Sequence, residues 1–151
     1  MKCLCPNRGI SWIVFAVIAV GIYFVNIEAQ TYLGRRAIEN THLISVPFDE
    51  ARAKAEREGK MILVDVSAVW CSNCRKLDNE VFANPNVRTA INDKFIFSRI
   101  EYESEEGQMF LKAYETSGFP SLWLIRGDGT IVKQLNVTFS ASEFLSQLNG
   151  H

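Results

Sequence analysis

Two cysteines, Cys71 and Cys74, are separated by two residues in the segment WCSNCR at positions 70–75. The apolar run before them has the length of a buried strand, and the pattern after them is typical of an amphipathic helix. Free N–H groups and partial positive charge at a helix N-terminus favour a thiolate at Cys71, and the thiolate is the nucleophile in disulfide exchange. Cys74, one helical turn later, would attack a mixed disulfide at Cys71 and release the partner. This pattern predicts thiol–disulfide chemistry through a redox-active Cys71–Cys74 disulfide, with no separate cofactor.

A zinc site is a competing interpretation of this cysteine pair. Such a site usually has four ligands, often from two cysteine pairs or from a cysteine pair and paired histidines. The other cysteines, Cys3 and Cys5, lie beyond an apolar segment, and His42 and His151 lack ligand spacing. A purely structural disulfide is also disfavoured, because so short a loop adds little stability. We therefore expect redox chemistry and no metal.

Composition narrows the possible classes of protein further. The chain has 151 residues, enough for one domain and an appendage, and 48% of them are hydrophobic. The formal net charge is −1, and positive and negative residues are interleaved without a basic cluster. Nucleic-acid binding is therefore not expected.

The strongest apolar segment is residues 10–27, which carry no charged residue. A helix of this length spans about 27 Å, close to the ~30 Å of a bilayer core. Trp12 and Tyr23 lie near its ends, where amphipathic aromatic residues are enriched in membrane helices. Lys2 and Arg8 precede it, which favours a cytoplasmic N-terminus by the positive-inside rule.

These features predict a single-pass membrane protein with an extracytoplasmic domain, periplasmic if the source is bacterial. A cleaved signal peptide is the alternative, although Ala29 is poorly placed as a cleavage site because Ile27 lies two residues before it. With an anchor, Cys3 and Cys5 lie on the cytoplasmic side, apart from the cysteine pair. The predicted organisation is a cytoplasmic N-terminus (1–9), a transmembrane anchor (10–27), a linker (28–45) and a folded domain (46–151).

The remaining pattern predicts strands that alternate with helices. Strands are expected at 61–66, 95–102, 121–125 and 130–135, with a candidate strand at 42–46, and helices at 47–58, 71–82, 105–116 and 140–148. Such alternation indicates an α/β domain whose sheet is covered by helices on both faces. The Gly-Asp-Gly turn at 127–129 closes a terminal hairpin, so the sheet should be mixed.

This order resembles the thioredoxin fold over residues 46–148. Three features carry the resemblance: the sequence WCSNC at 70–74, Asp65 six residues before Cys71, and the Phe119–Pro120 pair before a strand. The resemblance implies a thioredoxin fold, with a mixed central sheet flanked by helices and preceded here by one N-terminal transmembrane helix. It also implies that Pro120 follows a cis peptide bond and faces the cysteines.

Residues 58–65 and 74–82 resemble in particular the C-terminal periplasmic domain of the DsbD-type thiol:disulfide interchange reductase and its single-domain relatives. That domain carries a second acid in the active-site helix, and Asp78 stands at the matching position. Two differences stand out: Arg75 replaces the usual lysine with the same charge, and the chain lacks a multi-helix membrane electron channel.

Asp65 interrupts an apolar strand, where an unpaired carboxyl tends to stay protonated with a raised pKa. Near the cysteines it could accept the proton of Cys74 as that thiol attacks; a strand-end Asp bonded to nearby backbone is the alternative. Asp78 either tunes Cys71 or is a solvated helix residue. Catalytic roles are therefore expected for Cys71, Cys74, Asp65 and Asp78.

A substrate groove is expected beside the cysteines, lined by Trp70, Phe119 and Pro120, where an extended segment could bond to the loop backbone. Ser72 and Asn73 place no histidine between the cysteines, which favours a reductant over an oxidant. The prediction is a membrane-anchored thiol–disulfide oxidoreductase that reduces protein disulfides. Its expected partners are protein disulfide substrates, a transmembrane or soluble thiol electron donor, and the membrane. A disulfide oxidase or isomerase, or a non-catalytic thioredoxin-like adaptor, remains the alternative.

Overall fold

The protein is described by a computed structural model over residues 8–116 and 118–150. Cys3, Cys5 and His151 lie outside these described residues, as does most of the predicted cytoplasmic segment 1–9. The helices are α1 (Arg8–Thr41), α2 (Phe48–Glu58), α3 (Ser72–Leu77), α4 (Pro85–Lys94), α5 (Glu105–Ala113) and α6 (Ala141–Asn149). The strands are β1 (Met61–Ser67), β2 (Phe95–Glu101), β3 (Ser121–Ile125) and β4 (Ile131–Leu135).

The apolar N-terminal run lies within one continuous helix, α1, of 34 residues. Its segment Trp12–Thr41 contains a stretch that is long and apolar enough to cross a membrane, a test of length and composition that signal sequences also pass. The side chains from 12 to 29 are exposed. The structure differs from the predicted linker over 28–45, because residues 28–41 continue the same helix.

The C-terminal part of α1 packs on the folded domain, against α3 and the turn that follows it. Gly34, Ala37 and Thr41 are buried and recur at intervals of three and four residues, so they share one face of the helix. A Cβ atom at Gly34 would overlap the backbone carbonyl oxygen of Val69. The absence of a side chain at Gly34 therefore allows the close approach of α1 to the loop that leads to the cysteines.

The four strands form one mixed sheet in the order β2–β1–β3–β4. β1 pairs in parallel with β2, whereas β3 is antiparallel to both β1 and β4. The register of β1 and β2 places Asp65 opposite Arg99. The predicted strand at 42–46 is not formed; the N–H of Val46 donates to the carbonyl of Phe97 at 3.2 Å, but the segment makes no ladder.

Helices cover both faces of the sheet, which confirms the predicted α/β thioredoxin fold. Alternate residues of β1 point to opposite faces, so Leu63 belongs to one core and Ile62 and Val64 to the other. The first core includes Phe82 and Phe144, whose rings meet edge to face at 5.7 Å. Because both faces of the sheet are covered, β1 is almost completely buried, and it ends directly before the cysteine loop.

The predicted helix 71–82 is divided in the structure. α3 ends at Leu77, and a π-helical turn follows over Asp78–Phe82. Such wider turns are rare and often occur at functional sites. Here the turn begins at Asp78, whose side chain is buried although it is an acid.

Candidate active site

Cys71 and Cys74 lie at the start of α3 and form a disulfide. Cys71 is the N-cap residue, and its Sγ accepts a hydrogen bond from the backbone N–H of Cys74 at 3.1 Å. An N–H group directed at sulfur stabilises the thiolate when the pair is reduced. Both residues are buried, with 7% of Cys71 and 4% of Cys74 exposed, so Cys71 is the more accessible of the two.

Aromatic side chains surround the disulfide on its exposed side. The ring of Phe119 packs against the cysteine cluster and lies 5.3 Å from the ring of Trp70 and 4.5 Å from that of Tyr102. Trp70 remains 39% exposed. The Phe119–Pro120 peptide bond is cis and directly precedes β3. Trp70 and Phe119, both predicted as groove residues, therefore lie together beside the cysteines.

The predicted acids Asp65 and Asp78 meet at a buried arginine, Arg99. The Nε of Arg99 donates to Asp65 Oδ2 at 2.8 Å, and Nη1 donates to Asp78 Oδ2 at 3.3 Å. Nη2 forms ion pairs with both carboxylates, at 2.8 Å from Asp65 Oδ2. Only 11% of the Arg99 side chain is exposed, so this is a largely desolvated acid–base–acid cluster.

This pairing corrects the expectation that Asp65 is an unpaired carboxyl. Its Oδ2 is bonded by Arg99 and also receives the hydroxyl of Ser67 at 3.3 Å. Its Oδ1 is buried and has no hydrogen-bond partner among the described residues. One oxygen of Asp65 is thus paired with a guanidinium, while the other is buried and accepts no hydrogen bond from the described residues.

The environment of the cluster shifts the pKa values of Asp78 and Arg99. Burial, with a smaller contribution from the charge of Asp65, raises the pKa of Asp78 from 3.8 to about 6 against the opposing effect of Arg99. Burial disfavours the charge of Arg99, but Asp65 and Asp78 outweigh it and raise the pKa of Arg99 above its ordinary value. Asp78 is therefore a titratable acid near neutral pH rather than a solvated helix residue.

The N-terminal helix forms one wall of the site. Gln30 Oε1 accepts a hydrogen bond from Arg75 Nη1 at 2.5 Å, which ties α1 to the residue directly after Cys74. A groove of about 790 Å³ lies between α1 and the cysteine loop. The α1 side of this groove is lined by Tyr23, Asn26, Ile27 and Gln30, and the opposite side includes Trp70, Cys71, Arg75 and Phe119.

Comparison with known proteins identifies the fold family. Residues 44–127 match a family model described as thioredoxin-like. The chain belongs to the thioredoxin-like family. DsbD of Pseudomonas fluorescens is 29% identical over 103 residues, which cover 66% of this chain and 17% of that protein. The reduced C-terminal domain of Neisseria meningitidis DsbD is 25% identical with a TM-score of 0.55, covering 66% of this chain and 89% of that domain.

A UBX domain-containing protein 7 homolog of Dictyostelium discoideum is also similar, with 28% identity over 78 residues, 52% of this chain and 16% of that protein. The chain thus spans about one sixth of the length of these two curated relatives. The predicted resemblance to the thioredoxin-like superfamily and to DsbD-type domains is confirmed. Relatives named thiol:disulfide interchange proteins support redox chemistry for this thioredoxin-like domain.

Sequence reasoning missed two parts of the thioredoxin-like site. The first is Arg99, the one basic residue in β2, whereas Asp65 is the one acidic residue in β1. Opposite charges in two otherwise apolar strands are a sequence signal for a buried ion pair. Gln30 and Gly34 lie in the segment 28–45, which is predicted as a linker. Gly34, Ala37 and Thr41 recur at intervals of three and four residues and mark a helix face of small residues, which indicates close packing.

The site can carry out two-electron thiol–disulfide exchange with its own atoms. It combines a cysteine that lines the groove at a helix N-terminus, a second cysteine three residues later, and a buried cluster of two carboxylates around Arg99. Among residues 8–116 and 118–150, no group of three His, Cys, Asp or Glu side chains is arranged to hold a metal ion. α1 closes one side of the groove beside the cysteine loop.

Proposed function

We propose that the protein is a membrane-anchored thiol–disulfide oxidoreductase that reduces protein disulfides in an extracytoplasmic space. The observation that carries this proposal is the bond from the Cys74 N–H to Cys71 Sγ, at a helix N-terminus beside an aromatic groove. This geometry stabilises the thiolate and leaves it accessible to an extended substrate segment. Trp70, Phe119 and Pro120 form the proposed docking edge.

The reaction begins with the reduced pair. The Cys71 thiolate attacks one sulfur of a substrate disulfide, so the substrate S–S bond breaks and one substrate sulfur leaves as a thiolate that takes up a proton. The Cys74 thiol then loses its proton and attacks Cys71 Sγ. The Cys71–Cys74 disulfide forms, the second substrate sulfur leaves as a thiolate, and the substrate has gained two electrons that the protein has lost.

Asp65 is the proposed acceptor of the Cys74 proton. It is a fully buried carboxyl in the strand that leads to the cysteine loop, and Arg99 pairs with its Oδ2 and stabilises the carboxylate form. Arg99 also contacts Asp78, so a proton arriving at Asp65 shifts the guanidinium's ion pairing toward Asp78. Asp78, paired with the same guanidinium, is the second acid of this cluster.

Two observations support the reducing direction. Ser72 and Asn73 place no additional positive charge between the cysteines, so the thiolate lacks the stabilisation that strong oxidants use. The similarity to DsbD-type interchange proteins points the same way. A separate thiol carrier, transmembrane or soluble, would have to restore the dithiol, because residues 10–27 contain no cysteine.

Anchoring rests on α1. Its apolar segment is long enough to span a bilayer, and Trp12 and Tyr23 lie where interfacial aromatics are favourable. The expected behaviour is resistance to extraction by high salt and carbonate, with release by detergent. Mature protein that begins near Ile22 or Gln30 would instead indicate a cleaved signal peptide.

Trapping of mixed disulfides tests the proposed chemistry. Cys74→Ser should accumulate mixed disulfides between Cys71 and substrate proteins, and reduction should release them, because the resolving thiol is absent. The matched control is the double variant Cys3→Ser with Cys5→Ser, which should resolve its mixed disulfides as the unaltered protein does. Trapping by Cys71→Ser instead would reverse the two roles. A pair that stays oxidised under mild reductant would make the protein an adaptor.

A further inference from the structure

The groove beside the cysteines is built partly from the apolar segment itself. Tyr23, Asn26 and Ile27 line it from α1 and belong to the run 10–27, while Cys71 lines it from the opposite side. At 1.5 Å per residue, Tyr23 lies about 10 Å along the helix axis from Gln30, and Ile27 only about 4.5 Å from it. The redox site is therefore within one or two helical turns of the end of the apolar run.

The position of this groove along α1 is fixed rather than variable. Gln30 is bonded to Arg75, and the face of Gly34, Ala37 and Thr41 is buried against the domain. A flexible linker would have allowed the domain to move away from the membrane. A continuous helix that packs on the catalytic loop holds Cys71 at one height instead.

We propose that this groove docks a cysteine-bearing extracytoplasmic segment of an integral membrane protein, held at the level of the lipid headgroups. The inference rests on the proposed function, since it names the class of partner for the same redox site. If residues 10–27 span a bilayer, one end of the groove opens at the lipid–water interface. A segment that already resides at the interface reaches the groove at high effective concentration, whereas a soluble folded protein must displace headgroups to enter it.

The chemistry of the groove suits such a segment. Asn26, Ser72 and Asn73 provide hydrogen-bonding groups, while Tyr23 and Trp70 provide exposed aromatic surface, 63% and 39% exposed respectively. Amphipathic aromatic rings are favourable at the lipid–water interface. The groove therefore combines polar contacts for an extended backbone with rings adapted to the headgroup region.

The test uses the full-length chain with Cys74→Ser in lipid nanodiscs, together with two membrane-anchored probes. Each probe is one transmembrane helix that carries the same disulfide-closed peptide. In the first probe the disulfide lies within about five residues of the helix end; in the second a Gly/Ser linker of about 30 residues intervenes, with a mean extension of roughly 30 Å. Both probes have the same concentration in the membrane. They differ in the linker, which sets the height of the disulfide above the membrane.

The near-membrane probe should form the mixed disulfide at least tenfold faster than the long-linker probe. A second variant, Asn26→Trp, fills the groove on α1 and should remove that preference. The matched control is Val25→Trp, which places the same ring about 1.5 Å away along α1 and about 100° around it, at a 70% exposed position outside the groove lining, and should keep the preference.

Equal rates for the two probes with unaltered α1 would overturn the proposal, as would a faster reaction of the long-linker probe. An undiminished preference in Asn26→Trp would also overturn it. Reduction of a small aromatic disulfide by the unaltered protein is measured alongside. Its success together with equal probe rates refutes only the membrane partner, whereas its failure refutes the proposed function and this inference with it.

Discussion

Replacing Asp78 with Asn should change how the stability of the protein depends on pH. Asp78 is 3% exposed and shares Arg99 with Asp65, and burial raises its pKa from 3.8 to about 6. A buried acid with a raised pKa is a cost to the folded state whenever the unfolded chain would be ionised. Asn keeps the size and one oxygen of the side chain but cannot titrate.

The sign and size of the effect follow from the two pKa values. Below about pH 3.8 the Asp78 carboxyl is protonated in both states and contributes no cost. As the pH rises through the window from 3.8 to about 6, the unfolded chain ionises first, and the folded state loses stability relative to it. The gap between 3.8 and about 6 corresponds to about 3 kcal/mol at pH 7.

Urea unfolding of the oxidised, full-length protein in a mild detergent measures this contribution. The free energy of unfolding of Asp78→Asn minus that of the unaltered protein should rise by about 3 kcal/mol between pH 3.5 and pH 7. A constant offset from the lost Arg99 contact does not affect this change. Glu80→Gln, at an exposed position in the same turn, is the control and should give a flat difference. A difference for Asp78→Asn that is flat, or that falls with pH, would refute the assignment.

Three further predictions concern the cluster and α1. Asp65→Asn should slow disulfide formation by Cys74 at least about tenfold with little change in substrate binding, because Asn keeps the shape of the side chain but cannot accept the proton. A rate that is unchanged across neutral pH would exclude this role of Asp65. Arg99→Leu should lower the free energy of unfolding by about 3–5 kcal/mol at pH 7, with partial recovery on adding Asp78→Asn; full stability would show that the pairs contribute nothing. Gly34→Leu should cost about 1–3 kcal/mol because its side chain meets the Val69 carbonyl, whereas Arg35→Leu on the exposed face should cost little; equal losses would count against the packing of α1.

The elements that the sequence predicts correctly are those determined by interactions between residues close together in the chain. The apolar strand before Cys71, the helix after it and the terminal hairpin each follow from short-range periodicity and turn residues. The cysteine pair is recognisable because the chemistry needs two sulfurs one helical turn apart. These elements predicted an α/β domain with a mixed sheet, and the resemblance carried by WCSNC, Asp65 and Phe119–Pro120 implied the thioredoxin fold, which is confirmed.

The missed features depend on residues far apart in the chain. Arg99 meets Asp65 only because β1 and β2 pair in a particular register, which the sequence alone does not give. The division of the active-site helix is tied to the burial of Asp78, a tertiary effect. α1 continues past the apolar run, where small residues such as Gly34 pack on the cysteine loop. The sequence predicts a linker there because the segment is charged and less apolar. The catalytic roles and the boundaries of the anchor and domain stay predictions.

Thiol trapping in intact cells tests whether Cys71 and Cys74 work as a dithiol reductant. Cells are quenched with acid, free thiols are alkylated with a mass-shifting reagent, and the fraction of the pair in each state is read from gel mobility. We expect the pair mainly as the dithiol, with a reduction potential nearer about −270 mV than about −120 mV. A pair found mainly as the disulfide in otherwise normal cells would contradict it and make the protein an oxidase or isomerase.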